Sequence, residues 1–94
     1  MPNRVRLKLS YDDIADVLYV SATSAETTKN MEEIAGLVLR YDLKTHDPVG
    51  ATILDYKEYW LPRRRDLASR LADFFRISAN EADSALESVN AQPR

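Results

Sequence analysis

Carboxylates crowd one short stretch near the start of the chain, where Tyr11-Asp12-Asp13-Ile14-Ala15-Asp16 carries three aspartates. Oxygen donors set so close together suggest a cation site or a carboxylate-based catalytic centre. A calcium loop, however, places its donors at alternate positions and turns on a glycine, and Ile14 and Ala15 stand where donors are needed. Acid–base catalysis requires a cleft and a second group facing the first. The stretch therefore reads first as a turn, in which short carboxylates accept hydrogen bonds from backbone amides where the chain reverses. His46 is the only histidine and there is no cysteine, so a zinc site would have to be assembled from carboxylates. With two glycines in all, Gly36 and Gly50, the chain has neither a nucleophile elbow nor a phosphate-cradling loop. The expectation is a non-enzyme with no metal and no cofactor, the Tyr11–Asp16 turn being the one place for a carboxylate-based exception.

A second stretch offers binding chemistry instead. Tyr56-Lys57-Glu58-Tyr59-Trp60-Leu61-Pro62-Arg63-Arg64-Arg65 sets aromatic residues beside a basic run. Stacking plus phosphate contact would use such a run on single-stranded nucleic acid, and a protein interface would use it as anchors. Tyr59, Trp60, Arg63, Arg64 and Arg65 are the candidate binding residues. The bland alternative is that Trp60 and one tyrosine pack the helix against the sheet while the arginines are solvated. Charge supports a local patch only: the net charge is −2, yet residues 57–70 hold five Lys/Arg against two Asp/Glu.

The elements that must position these groups follow from periodicity. Val5, Leu7 and Leu9 alternate with Arg4, Arg6 and Lys8, the pattern of a strand with one buried face. Val17 to Val20 and Leu37 to Leu39 are unbroken apolar runs, which suit strands inside a sheet. The third strand is expected over Ile34 to Tyr41, with Gly36 marking a bulge or a close backbone approach, and the fourth over Val49 to Leu54. Ser21 to Glu33 is polar and reads as a long surface connection. Beyond Asp55 the period lengthens: Leu67, Leu71, Phe74 and Phe75 form one helical stripe, with Pro62 in its first turn. Ser78-Ala79-Asn80-Glu81 is a capping box opening a second helix, whose small apolar residues are expected to bury little.

The expected fold is thus α+β, a four-stranded antiparallel β-meander followed by two C-terminal α-helices. It is read as a single domain over 1–94, with a sheet module at 5–55 and a helical extension at 56–94. Both sheet faces carry apolar residues and one long helix can cover only one of them, so a homodimer is expected. No stretch approaches the ~20 apolar residues of a membrane span, and a cytoplasmic protein without membrane contact is expected.

Two segments also resemble a known family. Tyr11-Asp12 followed by Ala15-Asp16-Val17-Leu18-Tyr19-Val20, and Val38-Leu39-Arg40-Tyr41-Asp42 followed by Val49-Gly50-Ala51-Thr52-Ile53-Leu54, are similar to the signature of the domain-of-unknown-function 2283 family of small prokaryotic proteins. The second turn departs from the pattern, reading Lys44-Thr45-His46-Asp47-Pro48 without the usual glycine, and Ala51 and Thr52 replace a larger aliphatic and a glutamate. The resemblance marks Tyr11, Asp12, Asp16, Tyr19 and Gly50 as motif residues with structural roles. It implies a small β-rich module, often encoded beside toxin-like proteins, with no settled activity. The expected function is a protein-interaction module, in its most concrete form antitoxin-like with a toxin-like partner; the alternative is a single-stranded nucleic-acid binder using residues 56–65.

Overall fold

A computed structural model describes residues 7–22, 28–34 and 36–90, the side chains of 33 and 90 excepted. Five strands, β1 (Lys8–Asp12), β2 (Val17–Ser21), β3 (Thr28–Ile34), β4 (Leu37–Asp42) and β5 (Pro48–Leu54), precede two helices, α1 (Arg64–Phe75) and α2 (Ala79–Asn90). The class is α+β and every strand pair is antiparallel. The sheet order is β1-β2-β5-β4-β3, so the expected four-stranded meander is corrected in two respects. There is a fifth strand, and β2 pairs with β5 rather than with the strand that follows it.

The extra strand lies in the stretch expected to be a surface connection. β3 is a sheet edge bonded only to β4, and Thr28, Lys29, Asn30, Met31 and Glu32 are all exposed. An edge strand needs little apolar content, and charge along it discourages pairing with other chains. Gly36, expected as a bulge or a close backbone approach within one long strand, instead lies in the turn between β3 and β4 at φ 89°, a conformation that suits a residue without Cβ. The first strand is an edge as expected and begins at Lys8; its proposed start at Val5 lies outside the described residues.

Pairing register assigns the faces, because directly opposed residues share one. Leu9, Val20, Ala51 and Leu39 lie in one row and Tyr11, Leu18, Ile53 and Leu37 in another. Leu18, Val20, Leu37, Leu39, Ala51 and Ile53 form a single buried cluster with Leu67, Leu71, Phe75, Ala82 and Leu86 from the helices. Both helices therefore serve this inner face. Within the expected stripe, Leu67, Leu71 and Phe75 are buried and Phe74 is half-buried against the cluster. The second helix buries more than expected, with Ala82 and Leu86 fully inaccessible, because small side chains let it approach closely. Its N-terminus is capped as the box requires: the Glu81 amide donates to Ser78 Oγ at 3.0 Å and the Ser78 amide to Glu81 Oε1 at 3.3 Å. Pro62 opens a short 3₁₀ turn, Leu61–Arg63, and α1 itself begins at Arg64.

The β1–β2 and β4–β5 hairpin turns are built alike. Asp12 Oδ1 accepts the amides of Ile14 and Ala15 at 3.0 and 3.2 Å, and Asp42 Oδ1 accepts those of Lys44 and Thr45 at 2.7 and 3.0 Å. Each turn then closes on a left-handed residue, Asp16 at φ 58° and His46 at φ 65°. His46 thus fills the position where a glycine is absent.

Candidate functional site

Asp16 is the hub of the acidic stretch, and its work is internal. Its Oδ1 accepts the Tyr11 hydroxyl at 2.6 Å and the Lys57 amide at 2.8 Å, and its Oδ2 accepts the Glu58 amide at 3.1 Å. The Asp16 carbonyl accepts the Tyr56 amide at 3.0 Å. Burial pushes the Asp16 carboxyl up, but the Tyr11 hydroxyl, the two amides and the Lys57 ammonium outweigh it and hold it below its ordinary value. The carboxylate caps a single turn of π-helix, Tyr56–Trp60, supplying acceptors to amides that have no partner within the helix. Tyr11 also meets the Tyr56 ring edge to face at 5.6 Å, with Lys57 Nζ 5.2 Å from the Tyr11 ring centre. Tyr11, Asp12 and Asp16 are thus brought together as a joint between the β1–β2 turn and the route into α1. Among the described residues no group of three or more acidic or histidine side chains is arranged to hold a metal ion.

The basic-aromatic stretch is divided. Trp60, expected as a stacking residue, is 1% exposed within the core, so no base can reach its ring faces. Arg64 makes a bidentate pair with Asp83, Nε to Oδ1 at 2.7 Å and Nη2 to Oδ2 at 2.9 Å, with Glu87 Oε1 at 3.6 Å. This joins α1 to α2 and raises the Arg64 pKa while lowering that of Asp83, in both cases chiefly through the hydrogen bond between them. Arg63 lies over the Tyr59 ring at 4.0 Å and donates to the Tyr59 carbonyl at 2.8 Å. Tyr59, Arg63 and Arg65 remain at the surface. The acidic face of α2 takes up part of the positive run, and this pairing was not legible from local spacing.

The outer face of the sheet is crossed by all five strands. One row runs Ser10, Tyr19, Thr52, Val38 and Glu32 across all five strands, and the next runs Lys8, Ser21, Gly50, Arg40 and Asn30. Val17 and Leu54 oppose each other at the end nearer the π-turn. Tyr19 is 45% and Leu54 39% exposed, and neither belongs to the inner cluster. Gly50 is required by close approach: a Cβ there would lie 2.7 Å from the Val20 carbonyl oxygen and 3.4 Å from Arg40 Nη2. Tyr19 and Gly50 therefore sit on this face, apart from the Tyr11–Asp16 joint.

Next to Leu54 lies a cleft of about 400 Å³, lined by Ile34, Gly36, Leu54, Asp55, Tyr59 and Trp60. Sequence reasoning did not group these residues, which come from the β3–β4 turn, the end of β5 and the π-turn. Asp55 is in the left-handed region at φ 55°, which swings the chain from strand to π-turn around the cleft. Trp60 Nε1 is buried and has no hydrogen-bond partner among the described residues.

In comparisons with known proteins the chain matches no family, no curated protein and no solved structure. The resemblance carried by Tyr11–Val20 and Val38–Leu54 rests on those residues alone. No helix among the described residues is long and apolar enough to cross a membrane.

Proposed function

We propose that this protein is a small protein-interaction module that forms a two-fold dimer through the outer face of its sheet. The observation that carries this reading is that both helices serve the inner face, which leaves Tyr19 and Leu54 exposed and Val38 and Thr52 half-buried outside the inner cluster. Apolar patches of roughly 300–600 Å² on small proteins commonly mark interfaces. Charge favours a second copy. Lys8 and Asp12 flank Ser10 on the same face of β1, so a two-fold axis along the Ser10–Tyr19 row sets Asp12 over the partner's Lys8. Glu32 at the far end of the same row would face its own copy, so the contact is expected to be centred over β1 and β2 rather than β3.

The reading extends to a toxin-like partner only through the resemblance of residues 5–55. Light scattering at micromolar protein tests the dimer. The expected mass is twice 10.7 kDa, reverting to the monomer value in Tyr19→Asp, which places an unpaired charge at the centre of the contact. A monomeric parent protein overturns the dimer.

A further inference from the structure

We propose that the free edge of β1 is a second docking surface, on which the β1 strand of another copy of this chain lies antiparallel about a two-fold axis through Ser10. The inference goes beyond the outer-face contact, which uses a sheet face rather than an edge. A strand at the end of a sheet is a template for a further strand unless something blunts it. The two ends of this sheet differ in that respect. β3 is blunted: its pairing with β4 is broken by a register shift between Glu32 and Ile34, and Lys29 and Glu32 are exposed along it. β1 is regular, pairing with β2 from Lys8 to Asp12 without a shift. Its two charges are of opposite sign and stand at its two ends, so they suit an inverted copy of the same strand.

Directly opposed residues of an antiparallel pair share a face, and β1 is complementary to its own reverse. An axis through Ser10 sets Lys8 against the partner's Asp12 twice on the outer face and Leu9 against the partner's Tyr11 twice on the inner face. Lys8 and Asp12 are exposed, whereas Leu9 and Tyr11 are half-buried and packed against the core. One pairing therefore joins opposite charges on one side of the sheet and extends the core across the axis on the other. The turn amides of Ile14 and Ala15 use Asp12 Oδ1, so the second carboxylate oxygen can meet the partner's ammonium. Neighbouring registers lack this fit. Centring on Leu9 sets Lys8 against Ser10, centring on Tyr11 sets Asp12 against Ser10, and a shift of one residue sets inner apolar positions against outer polar ones.

The contact is small. A five-residue edge with two exposed ion pairs buries far less than a standard interface, and a dissociation constant of roughly 0.1–1 mM is expected. Its axis is normal to the sheet, at right angles to an outer-face axis along the Ser10–Tyr19 row, so the two contacts are compatible and together would close four copies at high concentration.

Tyr19→Asp, which dissolves the outer-face contact, isolates the edge. Sedimentation of that variant from about 10 μM to about 2 mM should show a monomer at the lower limit and a mass rising toward two copies at the upper. Lys8→Glu added to it sets two carboxylates against each other at both ends of the pairing and should weaken association about ten-fold or more. Ser10→Cys, in the same background, reads the register. The chain has no cysteine, and opposed Cα atoms about 4.5–5.5 Å apart are within disulfide reach, so mild oxidation should link the copies in pairs. Lys8→Cys should not link, because its two copies lie about 14 Å apart along the strands. Circular dichroism checks that each variant keeps the fold, and Tyr19→Lys replaces Tyr19→Asp if that one does not.

An outer-face variant that stays folded and monomeric at the upper concentration overturns the proposal, as does association indifferent to Lys8→Glu. Equal linking by the two cysteine variants overturns the axis through Ser10. A parent protein that follows the same curve as Tyr19→Asp, monomeric at micromolar and paired at millimolar concentration, overturns the outer-face dimer and leaves the edge contact standing. A parent dimeric at micromolar concentration, with Tyr19→Asp monomeric throughout, does the reverse.

Discussion

The Asp16 carboxylate accepts the Lys57 amide at 2.8 Å across 41 residues of sequence, tying the first hairpin turn to the segment that leads into α1. An aspartate in a left-handed turn thus acts as the N-terminal cap of a π-turn far along the chain. Asp16→Ala should destabilise the protein by about 2 kcal/mol, from the lost cap and the less tolerant left-handed backbone. Urea unfolding followed by circular dichroism measures it. Tyr11→Phe, which removes one of the bonds, should cost about half as much.

Acid should act through the same carboxylates. Asp16 and Asp83 both lie below the ordinary value of 3.8 when folded, Asp16 despite its burial and Asp83 through Arg64. A depressed folded pKa contributes stability that is present above the unfolded value and lost as pH falls through the folded one. Stability should therefore be flat at neutral pH and decline below about pH 4. Asp83→Asn should shallow the decline, as measured by urea midpoints at stepped pH.

Among the described residues four left-handed positions are held by residues with side chains, two of them His46 at φ 65° and Arg76 at φ 59°. Arg76 ends α1, where the Ile77 amide donates back to the Ala72 carbonyl at 3.1 Å, a position usually taken by glycine. His46→Gly and Arg76→Gly should each stabilise by about 0.5–1 kcal/mol, since relief of left-handed strain exceeds the added freedom of the unfolded chain. Thermal melts of the two single variants and the double variant check the sign and the additivity.

Gly50→Ala should do the opposite. Its methyl group would meet the Val20 carbonyl oxygen at 2.7 Å, and backbone atoms in the middle of a sheet have little room to retreat. A loss of about 1–3 kcal/mol is expected, visible as a lowered urea midpoint with an unchanged slope.

Much of this architecture was legible because the signals are periodic. Leu18 and Val20, Leu37 and Leu39, and Leu67, Leu71 and Phe75 occupy the buried positions that their spacing implies. β3 was not legible, because Lys29, Asn30 and Glu32 sit on an exposed edge where nothing selects for alternation. Of the two placements that the sequence leaves open for Trp60, stacking on a ligand or packing into the core, the structure has the second, since the π-turn directs it inward. The cleft was invisible because its lining comes from three separated segments of the chain.

The pairing of β2 with β5 also determines how the chain must assemble. β1 with β2 forms one contiguous hairpin, and β3, β4 and β5 form one contiguous meander, so each half can be searched locally. The seam between them, where Leu18 meets Ile53 and Val20 meets Ala51, closes the longest loop in the sheet, and the inner face is completed only when it zips. Loop closure of this kind is the slow part of folding a sheet. Conservative truncations at the seam, such as Ile53→Val, should slow refolding in stopped-flow traces, while changes in the distal Asp42–His46 turn should mainly alter unfolding. The protein is in this sense two locally folding halves that meet at the β2–β5 seam and beneath one shared core.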